Sequence, residues 1–158
     1  PFFGWGLRAI NPIPIDRAAG RSAVEQVVEG GKERLAQGYW IVLFPEGTRM
    51  PVGKTRKFGK SGAILAVESG HRIFPVAHTS GEIWPRGSWF VYPGTVKVVF
   101  GEPVSPVGKT VDELTAEIKT WMENTMREIS PVYAKKAAYY EARGDQDSSG
   151  SLKDSRRK

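Results

Sequence analysis

Tyr39-Trp40-Ile41-Val42-Leu43-Phe44-Pro45-Glu46-Gly47-Thr48-Arg49 passes from an unbroken apolar run into a turn with polar side chains. The run Tyr39 to Phe44 reads as a short strand covered on both faces, because no polar position alternates within it. Its end projects one carboxylate and one guanidinium, Glu46 and Arg49, from the same turn. Arg49 then opens a stretch holding Lys54, Arg56, Lys57 and Lys60, with no acidic residue before Glu68. Polar groups at a strand mouth followed by cations suit a phosphorylated ligand.

Working outward, Ser22-Ala23-Val24-Glu25 has the form of a capping box. Val24, Val27, Val28 and Leu35 follow at near-helical spacing, Gly30 and Gly31 weaken the middle, and Gly38 closes the helix. Upstream, Asn11 to Arg17 contains two prolines around Ile13 and Ile15, which predicts an edge strand. Residues 1–10 read as a short packed aromatic segment. Downstream, residues 59–70 predict a small buried helix around Ile64, Leu65 and Val67, and Ile73 to Ala77 a second apolar strand. Phe90 to Tyr92 and Thr95 to Phe100 flank the turn pair Pro93-Gly94, which predicts a hairpin. A second capping box, Thr110 to Glu113, precedes the apolar stripe Val111, Leu114, Ile118, Trp121, Met122 and Ile129. The best helix is expected over 111–129, stopped by Ser130-Pro131. The alternation predicts an α/β fold, a mixed sheet flanked by helices, with ligand groups clustered where strands end. The domain is expected over 1–131, a C-terminal extension over 132–143 and a disordered basic and polar tail over 144–158.

A length of 158 residues fits one domain with a real core. The absence of Cys excludes disulfides and thiol chemistry, and only His71 and His78 offer imidazole, so a histidine-rich metal site is not expected. The net charge of +6 calls for an anionic partner without choosing among nucleic acid, lipid and small phosphates. Nucleic acid is disfavoured, because the cations cluster on a loop and no recognition helix is evident. No apolar run approaches the roughly 18 residues of a membrane span. The opening Pro1-Phe2-Phe3-Gly4-Trp5 reads as a start within a longer protein.

The residues Phe44-Pro45-Glu46-Gly47-Thr48-Arg49 resemble a signature block of the glycerolipid acyltransferases. Three further blocks agree in order: Ile13-Pro14-Ile15-Asp16-Arg17 upstream, Phe58-Gly59-Lys60 after the signature, and Pro75-Val76-Ala77-His78-Thr79-Ser80-Gly81 downstream. The resemblance covers residues 1 to about 131 and is nearest to bacterial enzymes acting on 1-acyl-glycerol 3-phosphate (lysophosphatidate). One block departs. The family's catalytic His, followed after four residues by Asp, has no match here: His71 is followed at that offset by Val76, and His78 by Ile83. The resemblance implies that the catalytic pair lies before Pro1.

The resemblance further implies transfer of a fatty acyl group from an acyl carrier protein or coenzyme A thioester to lysophosphatidate, forming phosphatidate. No metal or organic cofactor is expected. It places the protein on the membrane surface, at the cytoplasmic face of the bacterial inner membrane. The expected substrate-binding residues are Arg17, Glu46, Gly47, Thr48, Arg49 and Lys60, with Arg49 first on the phosphate. Phe44, Pro45, Pro75 and His78 are expected to form the walls. Two alternatives stay open: another acceptor, such as glycerol 3-phosphate, and a catalytically dead lipid-binding fragment. Structural readings compete as well: a Glu46–Arg49 ion pair, an Asp16–Arg17 pair, and a solvated cationic loop over 54–60.

Overall fold

Capping residues decide where the helices lie. In the computed structural model, which describes residues 5–6, 11–16 and 21–144, the first long helix is α1, Arg21–Ala36. Gly38 ends it with a left-handed backbone (φ 81°), and Tyr39 N donates to Arg34 O at 3.0 Å. The mid-helix glycines have a packing reason. A Cβ on Gly31 would lie 2.5 Å from Leu65 Cδ2, and one on Gly30 would lie 2.7 Å from Ile13 Cγ2. Their helix-propensity cost, about 1 kcal/mol each, is offset by letting neighbours approach.

Helix α2, Ser61–Ser69, ends in left-handed Gly70 and buries Ala63, Leu65 and Ala66. Helix α4, Val111–Ile129, follows a complete capping box between Thr110 and Glu113. Leu114 and Ile118 of α4 meet Ala63 and Ala66 of α2 in the core, with Ile73, Val104, Val111 and Met122 packed around them. Between these helices lie β1, Val76–His78, the one-turn α3, Ser80–Ile83, and β2, Val98–Phe100. The strands pair antiparallel, with Val76 opposite Phe100 and His78 opposite Val98. The final helix α5, Pro131–Ala142, starts with Pro at its first turn and Ser130 as cap. Helix α1 packs on α2, α2 on α4, and α4 on both α5 and β1. The result is an α/β arrangement of helices around a small sheet.

Four expectations need correction. Tyr39 to Phe44 is not a covered strand: no strand pairs with it among the described residues, and Trp40 is 78% exposed. Its apolarity is met only locally, as where the Trp40 and Phe74 rings tilt together at 5.3 Å. The predicted hairpin is absent, because Val98–Phe100 pairs with β1 instead, while Tyr92 N donates to Ile83 O. Asn11 to Asp16 forms no strand. It is tied to α1 through Asp16 N donating to Gln26 Oε1. The strand expected over Ile73 to Ala77 begins later, with Ile73 contributing an isolated bridge to Val104. Arg17, most of the first ten residues, the Ser22 side chain and the tail beyond Gly144 lie outside the described residues.

Candidate functional site

The turn at Phe44 to Gly47 is closed by Gly47 N donating to Phe44 O at 2.9 Å, with Gly47 in the left-handed region (φ 67°). Any other residue would be strained there. Its amide is spent on the turn and does not face a ligand. A second bond, Gly59 N to Pro45 O at 2.7 Å, fixes the turn against the start of α2. Gly62 lets Leu43 pack close: a Cβ there would meet Leu43 Cδ1 at 3.2 Å. The signature turn therefore abuts an α2 N-terminus that has no side-chain cap. Uncapped amides at a helix start carry partial positive charge.

Glu46 and Arg49 do not pair with each other; no ion pair links them among the described residues. They turn to opposite environments. Arg49 is exposed, its guanidinium carbon 4.9 Å from the centre of the Trp84 ring. Stacking orients the guanidinium and leaves its in-plane N–H donors available. Glu46 is half-buried. Burial pushes its carboxyl above the ordinary carboxylate value, Arg56 opposes this, and Glu123 reinforces it.

Glu46 belongs to a polar cluster beneath the turn. Arg56 Nε and Glu123 Oε1 are both shielded from solvent and lack hydrogen-bond partners, though Lys119 ion-pairs with Glu123 Oε1 at 3.3 Å. Burial pushes the Tyr133 phenol up to about 12, with Glu123 adding to the shift. Ser130, 1% exposed, donates to Glu82 Oε1 and accepts from Tyr133 N at 2.8 Å. Glu82, Glu123, Ser130 and Tyr133 were not singled out from sequence. The Ser-Pro pair at 130–131, read as a helix stop, is the one signal that could also have marked a new helix start there.

Helix α5 holds the loop that follows Arg49. A Cβ on Gly53 (φ 83°) would lie 2.5 Å from Lys136 Cβ and 2.7 Å from Ala137 N. Lys54 Nζ sits 5.7 Å from the Tyr140 ring centre. On the other side, Val52 approaches Gly81 of α3, and α3 ends at Trp84 under Arg49.

The remaining expected residues are spread around this centre. Lys60 precedes α2, and its ammonium ion-pairs with Asp112 at the start of α4. That ammonium holds the exposed Asp112 carboxyl below its ordinary range. Thr48 is half-buried and Phe44 exposed. Pro75 is buried, and its carbonyl accepts from Gly101 N at 2.9 Å. His78 is exposed, with Nδ1 at 2.8 Å from Ser80 Oγ. Neither His71 nor His78 meets a carboxylate among the described residues, so neither forms a His–carboxylate base pair there. No group of His, Asp or Glu fit to hold a metal occurs among the described residues.

Arg49 is an exposed cation stacked on Trp84, in a loop that follows a turn abutting an uncapped helix start. A family model described as Acyltransferase matches residues 1–79. The chain belongs to that family. It is 43% identical over 135 residues to the 1-acyl-sn-glycerol-3-phosphate acyltransferase of Pseudomonas aeruginosa, spanning 84% of this chain and 52% of that protein. It is 31% identical over 123 residues to 1-acyl-sn-glycerol-3-phosphate acyltransferase alpha of Mus musculus, spanning 75% and 43%. The fold is similar to the crystal structure of the 1-acyl-sn-glycerophosphate (LPA) acyltransferase PlsC from Thermotoga maritima, with TM-score 0.67 and 29% identity, covering 82% of this chain and 52% of that one. The chain thus spans about half the length, or less, of these relatives.

Proposed function

We propose that this chain is the acceptor-binding portion of a membrane-associated 1-acyl-glycerol-3-phosphate acyltransferase. The observation that carries the reading is Arg49. It lies in the signature turn, is stacked on Trp84, and is unclaimed by any carboxylate among the described residues. The likeness to the Pseudomonas enzyme supports the acceptor.

In acyl transfer the acceptor hydroxyl attacks a thioester carbonyl, the carbonyl oxygen gains negative charge, and a thiol departs with the proton. Arg49 binds the phosphate monoester of the acceptor through paired N–H donors. The α2 N-terminus, which the turn abuts at Pro45, adds positive potential to the site. Arg17 and Lys60 are further candidates for the phosphate, and Thr48 for a glycerol oxygen. Phe44, Pro45, Pro75 and His78 form the proposed walls. Glu46 supports the turn from below rather than touching the phosphate. The donor is an acyl thioester of carrier protein or coenzyme A, and the setting is the cytoplasmic face of a bacterial membrane. No described helix is long and apolar enough to cross a membrane.

Steady-state kinetics of the full-length enzyme test the reading. Arg49→Ala should raise the KM for lysophosphatidate by about 10- to 100-fold, the loss of one charge-assisted pair, while leaving the thioester KM unchanged. An unaltered acceptor KM removes Arg49 from the role. Comparing lysophosphatidate with glycerol 3-phosphate at one donor concentration fixes the acceptor.

A further inference from the structure

The segment from Trp84 to Tyr92 is outside the core, yet its own hydrogen bonds hold it in shape. Trp84 Nε1 donates to Ser88 O at 3.1 Å, and Ser88 N to Pro85 O at 3.1 Å. Ser88 Oγ donates to Phe90 O at 2.9 Å and accepts from Phe90 N at 3.0 Å. Tyr92 N returns to Ile83 O at 2.9 Å, closing the base. The outcome is a stiff finger. Its tip residue Trp89 is 97% exposed, and Phe90, Val91 and Tyr92 are exposed beside it.

A loop stiffened so as to hold large apolar side chains in water implies a surface that covers them. Charge selects the kind of surface. From Ile83 to Gly101 there is no acidic residue, while Arg86 stands exposed in the finger and Arg49 stacks on Trp84 at its base. Trp and Tyr accompanied by cations are the side chains of a membrane–water interface, where an anionic leaflet attracts the charges.

We propose that the Trp84–Tyr92 finger docks on an anionic lipid bilayer, placing Trp89 and Phe90 in the interfacial layer and Arg49 at the depth of the headgroups. The proposal rests on the acyltransferase reading only in that the acceptor is then a lipid of that same layer. Phosphate capture and membrane docking would share the Arg49–Trp84 pair.

The test uses full-length protein and phosphatidylcholine vesicles, with or without about 30 mol% phosphatidylglycerol, carrying brominated or plain acyl chains. Tryptophan fluorescence is read with no acyl donor present. The expected result is quenching by brominated lipid on the anionic vesicles, and loss of the Trp89 share of that quenching in Trp89→Phe. Because Trp89 is almost wholly exposed, this variant does not disturb the fold. Adding Phe90→Ser to Trp89→Ser should weaken Trp84 quenching by about tenfold in lipid concentration or more. Identical quenching in wild type and Trp89→Phe overturns the proposal, as does a Trp89 shielded by a protein partner rather than by lipid. The readout needs no turnover, so a wrong acceptor assignment leaves it intact.

Discussion

Gly53→Ala isolates the grip of α5 on the loop that follows Arg49. The glycine has φ 83°, a backbone that disfavours any Cβ by about 1–2 kcal/mol. The added Cβ would stand 2.5 Å from Lys136 Cβ, 2.7 Å from Ala137 N and 2.8 Å from Lys136 C. Two of the three are backbone atoms, so no rotamer change relieves the contact. Restoring a 3.4 Å separation means moving α5 or the loop by roughly 0.9 Å. Overpacking of that kind costs about 1–3 kcal/mol, giving about 2–5 kcal/mol in all and a Tm fall of about 5–15 °C at this chain length. Gly38→Ala is the control. Its φ is 81°, but nothing lies within 4 Å of the new Cβ, so only the backbone contribution of about 1–2 kcal/mol applies. Thermal melts by circular dichroism on both variants give the comparison. Equal losses would show that α5 does not press on Gly53, and the account of how the loop is held would fall.

Thr110→Ala removes the side-chain half of the α4 capping box, the hydroxyl that accepts from Glu113 N, and leaves the backbone half in which residue 110 N donates to Glu113. It should cost about 1 kcal/mol, read as a lower urea midpoint at constant slope. Glu46→Gln should raise the Tm at neutral pH. Burial holds the wild-type carboxyl above its ordinary value of 4.5, so its contribution is complete below that pH and is lost as pH rises. The amide does not titrate, and the Tm of the variant should vary less between about pH 4.5 and 7. Parallel Tm–pH curves for the two proteins would refute the burial of Glu46 beneath the turn.

Local signals made the helices legible. Thr110 and Glu113 start α4, the stripe through Leu114 and Ile118 faces the core, and Gly70 and Gly38 stop α2 and α1 where expected. Strands were less legible because they depend on partners far along the chain. Val98–Phe100 was assigned to the nearest apolar run, whereas its ladder is with Val76–His78. Tyr39 to Phe44 illustrates a second limit. Its apolarity announces burial, but composition cannot say which surface supplies it, and no described strand lies alongside. At the site, the turn and its cation were visible as a motif. The split between Glu46 and Arg49 was not, since Arg56, Glu123 and Trp84 are brought in by tertiary packing. Helix α5 was passed over because Ser130-Pro131 was read as a stop, when the same pair is also a start.

Ser130 closes α4 through its amide on Met126 O, opens α5 through its hydroxyl on Tyr133 N, and reaches α3 through Glu82. Three elements joined through one residue, two of them through its hydroxyl, are coupled against opening one at a time. In amide-exchange terms, α3, the end of α4 and α5 form one cooperative unit. Trp84 ends α3. The cation of the proposed acceptor site is therefore coupled to the C-terminal helices through Trp84, as well as to α2 through the turn.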